Sequence, residues 1–146
     1  MDFINRVIHA ITQLHPLHPM LVHFPIAFTA AGALFILLAL WRKNELFEKI
    51  AYSNLVLAAI SVIPAAGSGI YDNAINYGGD APNAPVKIAL GTTLFVLTTA
   101  TALWRRKNAD LITRKPARVF YVLIYLLSFM IAFTLAFLGG VIVYGF

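Results

Sequence analysis

No cysteine occurs in the sequence, and acidic residues are scarce. The 146 residues include six Asp and Glu and eleven Lys and Arg, so that 12% of the chain is charged while 60% is hydrophobic. The lack of cysteine excludes disulfides, iron–sulfur clusters, thiolate zinc sites and covalently attached c-type haem. With a mean hydropathy of +0.81, a chain of this length does not have the composition of a soluble domain, and a membrane protein is indicated.

Four apolar stretches are each long enough to cross a hydrocarbon layer of about 30 Å as a helix. They run over residues 19–41, 51–71, 86–104 and 119–144, and no Asp, Glu, Lys or Arg lies deep inside any of them. A backbone in lipid must satisfy its own hydrogen bonds, so these stretches are predicted to be helices. The sequence therefore predicts an all-α integral membrane protein, a single four-helix transmembrane bundle over residues 1–146.

A short amphipathic helix is predicted over residues 2–14, ahead of the first span. Its apolar residues recur at helical spacing and its polar residues, His9 among them, lie on the opposite face. We expect this helix to lie in the membrane interface and to end at His15-Pro16, because the residue before a proline disfavours helix.

The basic residues predict the orientation of the bundle. Nine of the eleven Lys and Arg lie in the connections between the first and second spans and between the third and fourth. By the positive-inside rule both connections are cytoplasmic, and both termini face the outside of a bacterial cytoplasmic (inner) membrane. Topology accounts for the basic residues, so nucleic-acid binding is not indicated. The cytoplasmic half of the spans is predicted to contain only apolar side chains and a few hydroxyls.

The unusual residues collect near the predicted outer surface. Small residues in membrane helices either allow close packing or leave room for a flat cofactor, and the run of five from Ala65 to Gly69 fits both interpretations. The residues at this level are His18, His23, Gly67, Gly69, Asp72, Lys87, Gly91, Gly139, Gly140 and Tyr144.

Two histidines open the first span. On an ideal helix His18 and His23 are about 140° apart, so one regular helix does not direct both at one metal ion, although Pro19 and Pro25 can distort it. An ionisable residue inside a membrane span indicates a function by default. For His23 the sequence leaves two roles open: a ligand, or a neutral imidazole bonded to Asp72 or to a backbone carbonyl.

The residues from His18 to Ala27 read HPMLVHFPIA, and those from Leu138 to Phe146 read LGGVIVYGF. They resemble the H-P-x-x-V-H-F-P-I-A signature and the G-G-x-x-V-Y ending of a widespread family of uncharacterised bacterial membrane proteins with four helices in the same places. In that family histidines recur at the outer ends of several helices, as in b-type cytochromes. The resemblance therefore implies haem b binding and electron transfer. Many relatives carry a histidine where this chain has Lys87, and another where it has Gly145.

The first functional hypothesis is a redox-associated subunit that binds haem b near the outer face. His23 or His18 provides one axial ligand, and the glycines 67, 69, 139 and 140 make room for the ring. Lys87 or Arg6 pairs with the propionates. All four histidines precede residue 24, so the second ligand is His15, comes from a partner chain, or is absent.

Two other hypotheses stay open. A cofactor-free accessory subunit would pack against other membrane-protein subunits, or a second copy of itself, and dock through the outer loop over residues 71–85. A divalent copper or zinc site would use His15, His18 and His23 with Met20 nearby.

No base-plus-nucleophile pair is visible in the sequence, so no catalytic activity of its own is expected. Without deep charges or broken spans, transport is not indicated either.

Overall fold

The computed structural model describes residues 2–13 and 17–144, which fold into helices joined by short connections. Within these residues the elements are α1 (Phe3–Gln13), α2 (Leu17–Arg42), α3 (Glu45–Asn76), α4 (Ala84–Lys107) and α5 (Lys115–Tyr144). The helices α2 to α5 are each long and apolar enough to cross a membrane. The predicted all-α membrane fold with four spanning helices is thereby confirmed.

The connection between α2 and α3 is much shorter than hydropathy indicates, because it consists of Lys43 and Asn44 alone. Lys43 adopts a left-handed conformation with φ of 50°. The side chain of Asn44 caps α3 by accepting a hydrogen bond of 2.8 Å from the backbone N–H of Leu46. Asn is a favoured cap, and acidic residues in the first turn complement the helix dipole. As a result α3 begins at Glu45, six residues before the predicted start of the second span.

The four long helices form a ring in which α2 packs against α3 and α5, and α4 packs against the same two neighbours. We call the end with the two basic connections, residues 43–44 and 108–114, the basic end. The opposite end, with His18 and the loop over residues 77–83, is the histidine end.

The core has one cluster toward each end. Toward the basic end it contains Ile36, Ala51, Leu55, Leu111, Tyr121, Val122 and Tyr125. Toward the histidine end it contains Val62, Leu94, Ile131 and Ala132.

The loop from α3 to α4 is held in place by one side chain. Asn73 donates a hydrogen bond of 3.2 Å to the carbonyl of Gly79, and its Oδ1 accepts one of 2.9 Å from the N–H of Ala81. Gly78 and Gly79 have positive φ angles of 58° and 91°, which L side chains rarely adopt. This explains a Gly-Gly pair at the turn, where the chain reverses into α4.

The helix α1 is amphipathic, and the apolar side chains that the structure describes in its first two turns are exposed. Phe3 and Ile4 are 80% and 67% exposed, and the polar residue His9 is exposed as well. An uncovered apolar face on a short polar helix fits the predicted position in the membrane interface, which stays a prediction. The last residue of the predicted 2–14 helix, Leu14, lies outside the described residues.

Candidate functional site

The imidazole of His18 is engaged with α3. Its Nδ1 lies 3.0 Å from the hydroxyl oxygen of Ser68, and that hydroxyl donates its own hydrogen to the carbonyl of Ala65 at 2.9 Å. Since a serine hydroxyl has one hydrogen, Ser68 accepts from the Nδ1–H of His18. The contact joins α2 to α3 across the histidine end.

Gly69 provides the space that this ring occupies. A Cβ atom at Gly69 would lie 2.9 Å from Cε1 of His18 and 3.4 Å from both of its ring nitrogens. The imidazole therefore lies against the backbone of α3, and any side chain larger than glycine at residue 69 would require it to move. Gly67 differs, because a Cβ atom there would meet no atom within 4 Å. Of the four glycines predicted to make room for a cofactor, two are on α3: Gly69 makes room for His18, and Gly67 lies on an open surface.

Two opposite charges lie close to His18. Asp72, one turn beyond Ser68 on α3, and Lys87, near the start of α4, both act electrostatically on the imidazole, and they interact with each other. Lys87 is half-buried. The histidine end thus places a histidine from α2, a hydroxyl and a carboxylate from α3 and an ammonium group from α4 near one another.

His23 is oriented differently, with its ring exposed on the outside of the bundle. Its Nδ1 contacts the carbonyl oxygen of Pro19, one turn earlier on α2. A carbonyl only accepts, so Nδ1 carries the hydrogen and the lone pair is on Nε2. Metal-ligating histidines commonly have this arrangement, in which a backbone carbonyl fixes the tautomer and the ring orientation. The neighbours Met20 and Phe24 are 60% and 52% exposed.

The depth of His23 follows from helix geometry. Trp41 is 72% exposed at the other end of α2, and the guanidinium of Arg42 lies 4.5 Å from its ring centroid, a combination typical of a membrane interface. At 1.5 Å per residue, His23 is about 27 Å from Trp41 along the helix axis. The hydrocarbon layer is about 30 Å thick. With Trp41 at one interface, the exposed imidazole lies near the opposite edge of a hydrocarbon layer of this thickness.

The other predicted site residues are not all brought together. Within residues 2–13 and 17–144, no three His, Cys, Asp or Glu side chains are close enough to hold a metal ion. His15 lies outside the described residues. Gly139 and Gly140 lie near the end of α5, and a Cβ atom added at Gly139 would meet nothing within 4 Å.

The imidazole of His18 is half-buried and rests against α3 at Gly69, where it leaves less room for a haem ring than the exposed face around His23. The residues around His23 do fit an axial ligand at the surface, because Nε2 is directed away from the carbonyl of Pro19 on an exposed face. The two candidate ligands therefore differ in their availability, and only His23 has a free ring nitrogen on an open surface.

A polar cluster near the basic end was not predicted from the sequence. The guanidinium of Arg105 donates from Nε and Nη2 to the two carboxylate oxygens of Glu48, at 2.5 and 2.8 Å. Tyr121 donates to the same carboxylate at 2.9 Å and lies 3.1 Å from the hydroxyl of Tyr125. Glu48 is 2% exposed and both tyrosines are buried. The prediction that this half of the bundle contains only apolar side chains and hydroxyls is therefore wrong.

The cluster ties three helices together. Glu48 comes from α3, Arg105 from α4, and Tyr121 and Tyr125 from α5. The edge of Trp104 packs against Tyr121 at a centroid distance of 6.3 Å, and Arg105 lies 5.4 Å from the ring centroid of Tyr52. A bidentate, buried pair with a third donor on the carboxylate satisfies most of the polar atoms that it buries. The arrangement can fix helix positions, and both carboxylate oxygens of Glu48 already accept hydrogen bonds from protein groups.

Comparison with known proteins gives one match. A family model described as "Predicted membrane protein (DUF2231)" matches residues 14–146, which is nearly the whole chain. No curated protein and no solved structure matches it.

Proposed function

The chain belongs to the DUF2231 family of predicted membrane proteins, and we propose that it is a redox-associated membrane subunit that binds haem b on the lipid-facing surface through His23. Haem iron, when bound, supplies one-electron transfer, and the protein sets the ligand and its surroundings. The observation that carries the proposal is the His23 imidazole, which is fixed through Nδ1 to the carbonyl of Pro19 and exposes Nε2 at membrane depth.

The cost of an uncovered imidazole supports a ligand role. A polar group in hydrocarbon without a hydrogen-bond partner costs roughly 2–7 kcal/mol, and ionisable residues in membrane helices almost always face a partner. At the edge of the hydrocarbon layer Nε2 of His23 meets part of this cost wherever water and headgroups do not reach it, and a ligand bound to Nε2 removes it. Around the ring, Met20 and Phe24 offer an apolar surface that suits a porphyrin.

The chain's own residues then have distinct tasks. The carbonyl of Pro19 holds the ring of His23 in one orientation and keeps its lone pair outward. Phe24 packs against Phe28 at a centroid distance of 6.3 Å, which steadies the apolar surface beside the ligand.

A reduced-minus-oxidised optical spectrum of the detergent-purified protein tests this proposal. We expect a b-type α-band, which disappears when His23→Ala removes the proposed ligand. His18→Ala is the matched control, since it removes a histidine from the same helix that is engaged with Ser68, and we expect it to keep the band. A flat spectrum of folded wild-type protein, or a band that survives His23→Ala, contradicts the proposal. Elemental analysis of the same sample tests the copper or zinc alternative.

A cofactor-free accessory subunit is the second candidate, and the length of α3 favours it. With 32 residues, α3 is about 48 Å long, well beyond the hydrocarbon layer. Its end carries exposed Tyr71 and Ile75, beside the loop held by Asn73. An apolar surface of this kind suits contact with another membrane subunit. If the wild-type protein is folded, lacks haem and metal, and loses its partner on Ile75→Asp, this candidate replaces the first.

We further propose that the basic end faces the cytoplasm and the histidine end the outside of a bacterial inner membrane, which the positive-inside rule supports. Because the chain has no cysteine, single cysteines report orientation directly. In spheroplasts, Asp80→Cys in the loop at the histidine end should react with a membrane-impermeant maleimide. Ala109→Cys at the basic end should react only after lysis. The opposite pattern would reverse the orientation.

A further inference from the structure

We infer that a groove between α3 and α4 binds one anionic phospholipid, with an acyl chain in the groove and the phosphate on Lys49 and Arg106. The groove has a volume of about 280 Å³ and is lined by side chains from residues 56–63 of α3 and 95–103 of α4. The inference goes beyond the proposed function and does not depend on it, because the groove is on a different side of the bundle from His23.

Small residues next to a tight polar contact explain why the groove exists. Glu48 and Arg105 hold α3 and α4 together at the basic end. Further along the two helices the lining includes Ala59 and Ala102, whose side chains are too short to fill the space between them. Ile60, a larger lining residue, is exposed, so the groove opens outward. It lies within the spans and is almost entirely apolar, so hydrocarbon rather than water fills it in a bilayer.

Two cations lie beside the end of the groove that is nearer the basic end. Lys49 on α3 and Arg106 on α4 are each seven residues, or about two turns, from a residue that lines the groove, so each is on the groove side of its helix. Their chain neighbours Glu48 and Arg105 are in direct contact, which places the two cations at a similar level. Both side chains are exposed, and within the described residues neither forms a salt bridge.

The distribution of charge along these helix faces gives the lipid one orientation. Lys and Arg next to a membrane span attract anionic headgroups, so the phosphate is expected at Lys49 and Arg106. Glu45 is one turn further from the groove on the same side of α3, so Lys49 is nearer to it. Beyond the opposite end of the groove the same faces continue with the uncharged Ile70 and Ile88. Topology accounts for the number of basic residues at this end, but not for the meeting of two of them at one groove.

Native mass spectrometry of the protein in neutral detergent, titrated with phosphatidylglycerol, tests the headgroup assignment. We expect one tightly bound lipid per chain. Phosphatidylcholine with the same acyl chains should bind about 25-fold more weakly, because each Lys or Arg near the surface contributes about fivefold to the binding of an anionic lipid. Lys49→Gln combined with Arg106→Gln should remove this preference. Lys115→Gln removes an exposed basic residue at the start of α5 and should keep it.

Thr99→Leu tests the acyl chain separately. The hydroxyl of Thr99 is buried without a hydrogen-bond partner among the described residues, so leucine removes no bond and adds atoms to the lining. We expect both phospholipids to bind about tenfold more weakly, the equivalent of roughly two methylene groups that lose their place. Ala102→Leu narrows the same groove and is a second variant for this test. Val119→Leu, on the exposed surface of α5, is the control and should not change lipid binding.

The possible results are distinct. Equal binding of the two phospholipids, or a preference for phosphatidylglycerol that survives the loss of both cations, overturns the assignment of the headgroup. Unchanged lipid binding in both Thr99→Leu and Ala102→Leu overturns the assignment of the groove. Competition by glycerophosphoglycerol, which has the headgroup but no acyl chain, would indicate an anion site without the groove and overturns the inference as well. The haem spectrum enters none of these results, so the proposed function stands or fails separately.

Discussion

Replacing Glu48 with alanine is expected to lower the free energy of unfolding by about 3–5 kcal/mol, the cost typical of removing one partner of a buried ion pair. The side chain of Arg105 is 13% exposed, and it would keep its charge without a counter-ion. The hydroxyl of Tyr121 would lose its acceptor on the carboxylate in the same variant. Equilibrium unfolding in mixed detergent micelles, followed by circular dichroism, measures the change.

Two further variants make this test specific. Glu45→Ala removes an exposed carboxylate from the same first turn of α3, and we expect it to cost below about 1 kcal/mol because it loses only a helix-dipole interaction. Replacing both Glu48 and Arg105 with methionine removes the unpaired charge and should recover most of the loss, since apolar replacements of buried pairs are often neutral. If Glu48→Ala lowers the free energy of unfolding no more than Glu45→Ala does, the cluster does not hold α3, α4 and α5 together.

The four spanning helices could be predicted because span length and hydropathy are local properties of the sequence. Each of α2 to α5 contains one of the predicted stretches and extends beyond it at both ends, apart from α5, which ends with its stretch at Tyr144. Helix ends are set by capping and by neighbouring elements rather than by hydropathy. Asn44 starts α3 in the middle of a charged segment, and a cap residue followed by acidic residues is the signal that would have found this start.

The polar cluster could not be predicted in the same way. Glu48 and Arg105 are 57 residues apart in the sequence, and each is near a basic connection, where a charged residue is expected to be solvated. The sequence did contain a partial indication that Glu48 is buried. Once α3 starts at Glu45, Glu48 falls on the same helical face as Ala51 and Leu55, which are core residues. Tyr121 and Tyr125 repeat four residues apart on α5. The pairing itself depends on the packing of α3, α4 and α5.

The histidine end was predicted in part. The expected separation of His18 and His23 around the helix agrees with the structure, in which His18 contacts α3 and His23 is exposed. The sequence did not indicate that Gly69 lies under His18, because a contact between two helices depends on their register. It left close packing and cofactor space as alternatives for the small residues, and at Gly69 the structure assigns close packing.

Replacing Gly69 with alanine is expected to destabilise the protein by about 1–3 kcal/mol, the usual cost of adding atoms to a packed contact. The new Cβ would lie 2.9 Å from Cε1 of His18, so the ring has to move. Moving the ring breaks its hydrogen bond to Ser68, which joins α2 to α3 at the histidine end. The change in unfolding free energy is measured in mixed micelles, as for Glu48.

Gly67→Ala is the matched control two residues earlier on the same helix. Its Cβ would meet nothing within 4 Å, and alanine gains up to about 1 kcal/mol over glycine in a helix, so this variant should be neutral or stabilised. In a His18→Ala background the imidazole is absent, and Gly69→Ala should then change the free energy of unfolding by as little as Gly67→Ala does. Such non-additivity identifies His18 as the group that Gly69 accommodates. If Gly69→Ala is as costly without His18 as with it, another contact of α3 requires the glycine, and His18 becomes available as a ligand.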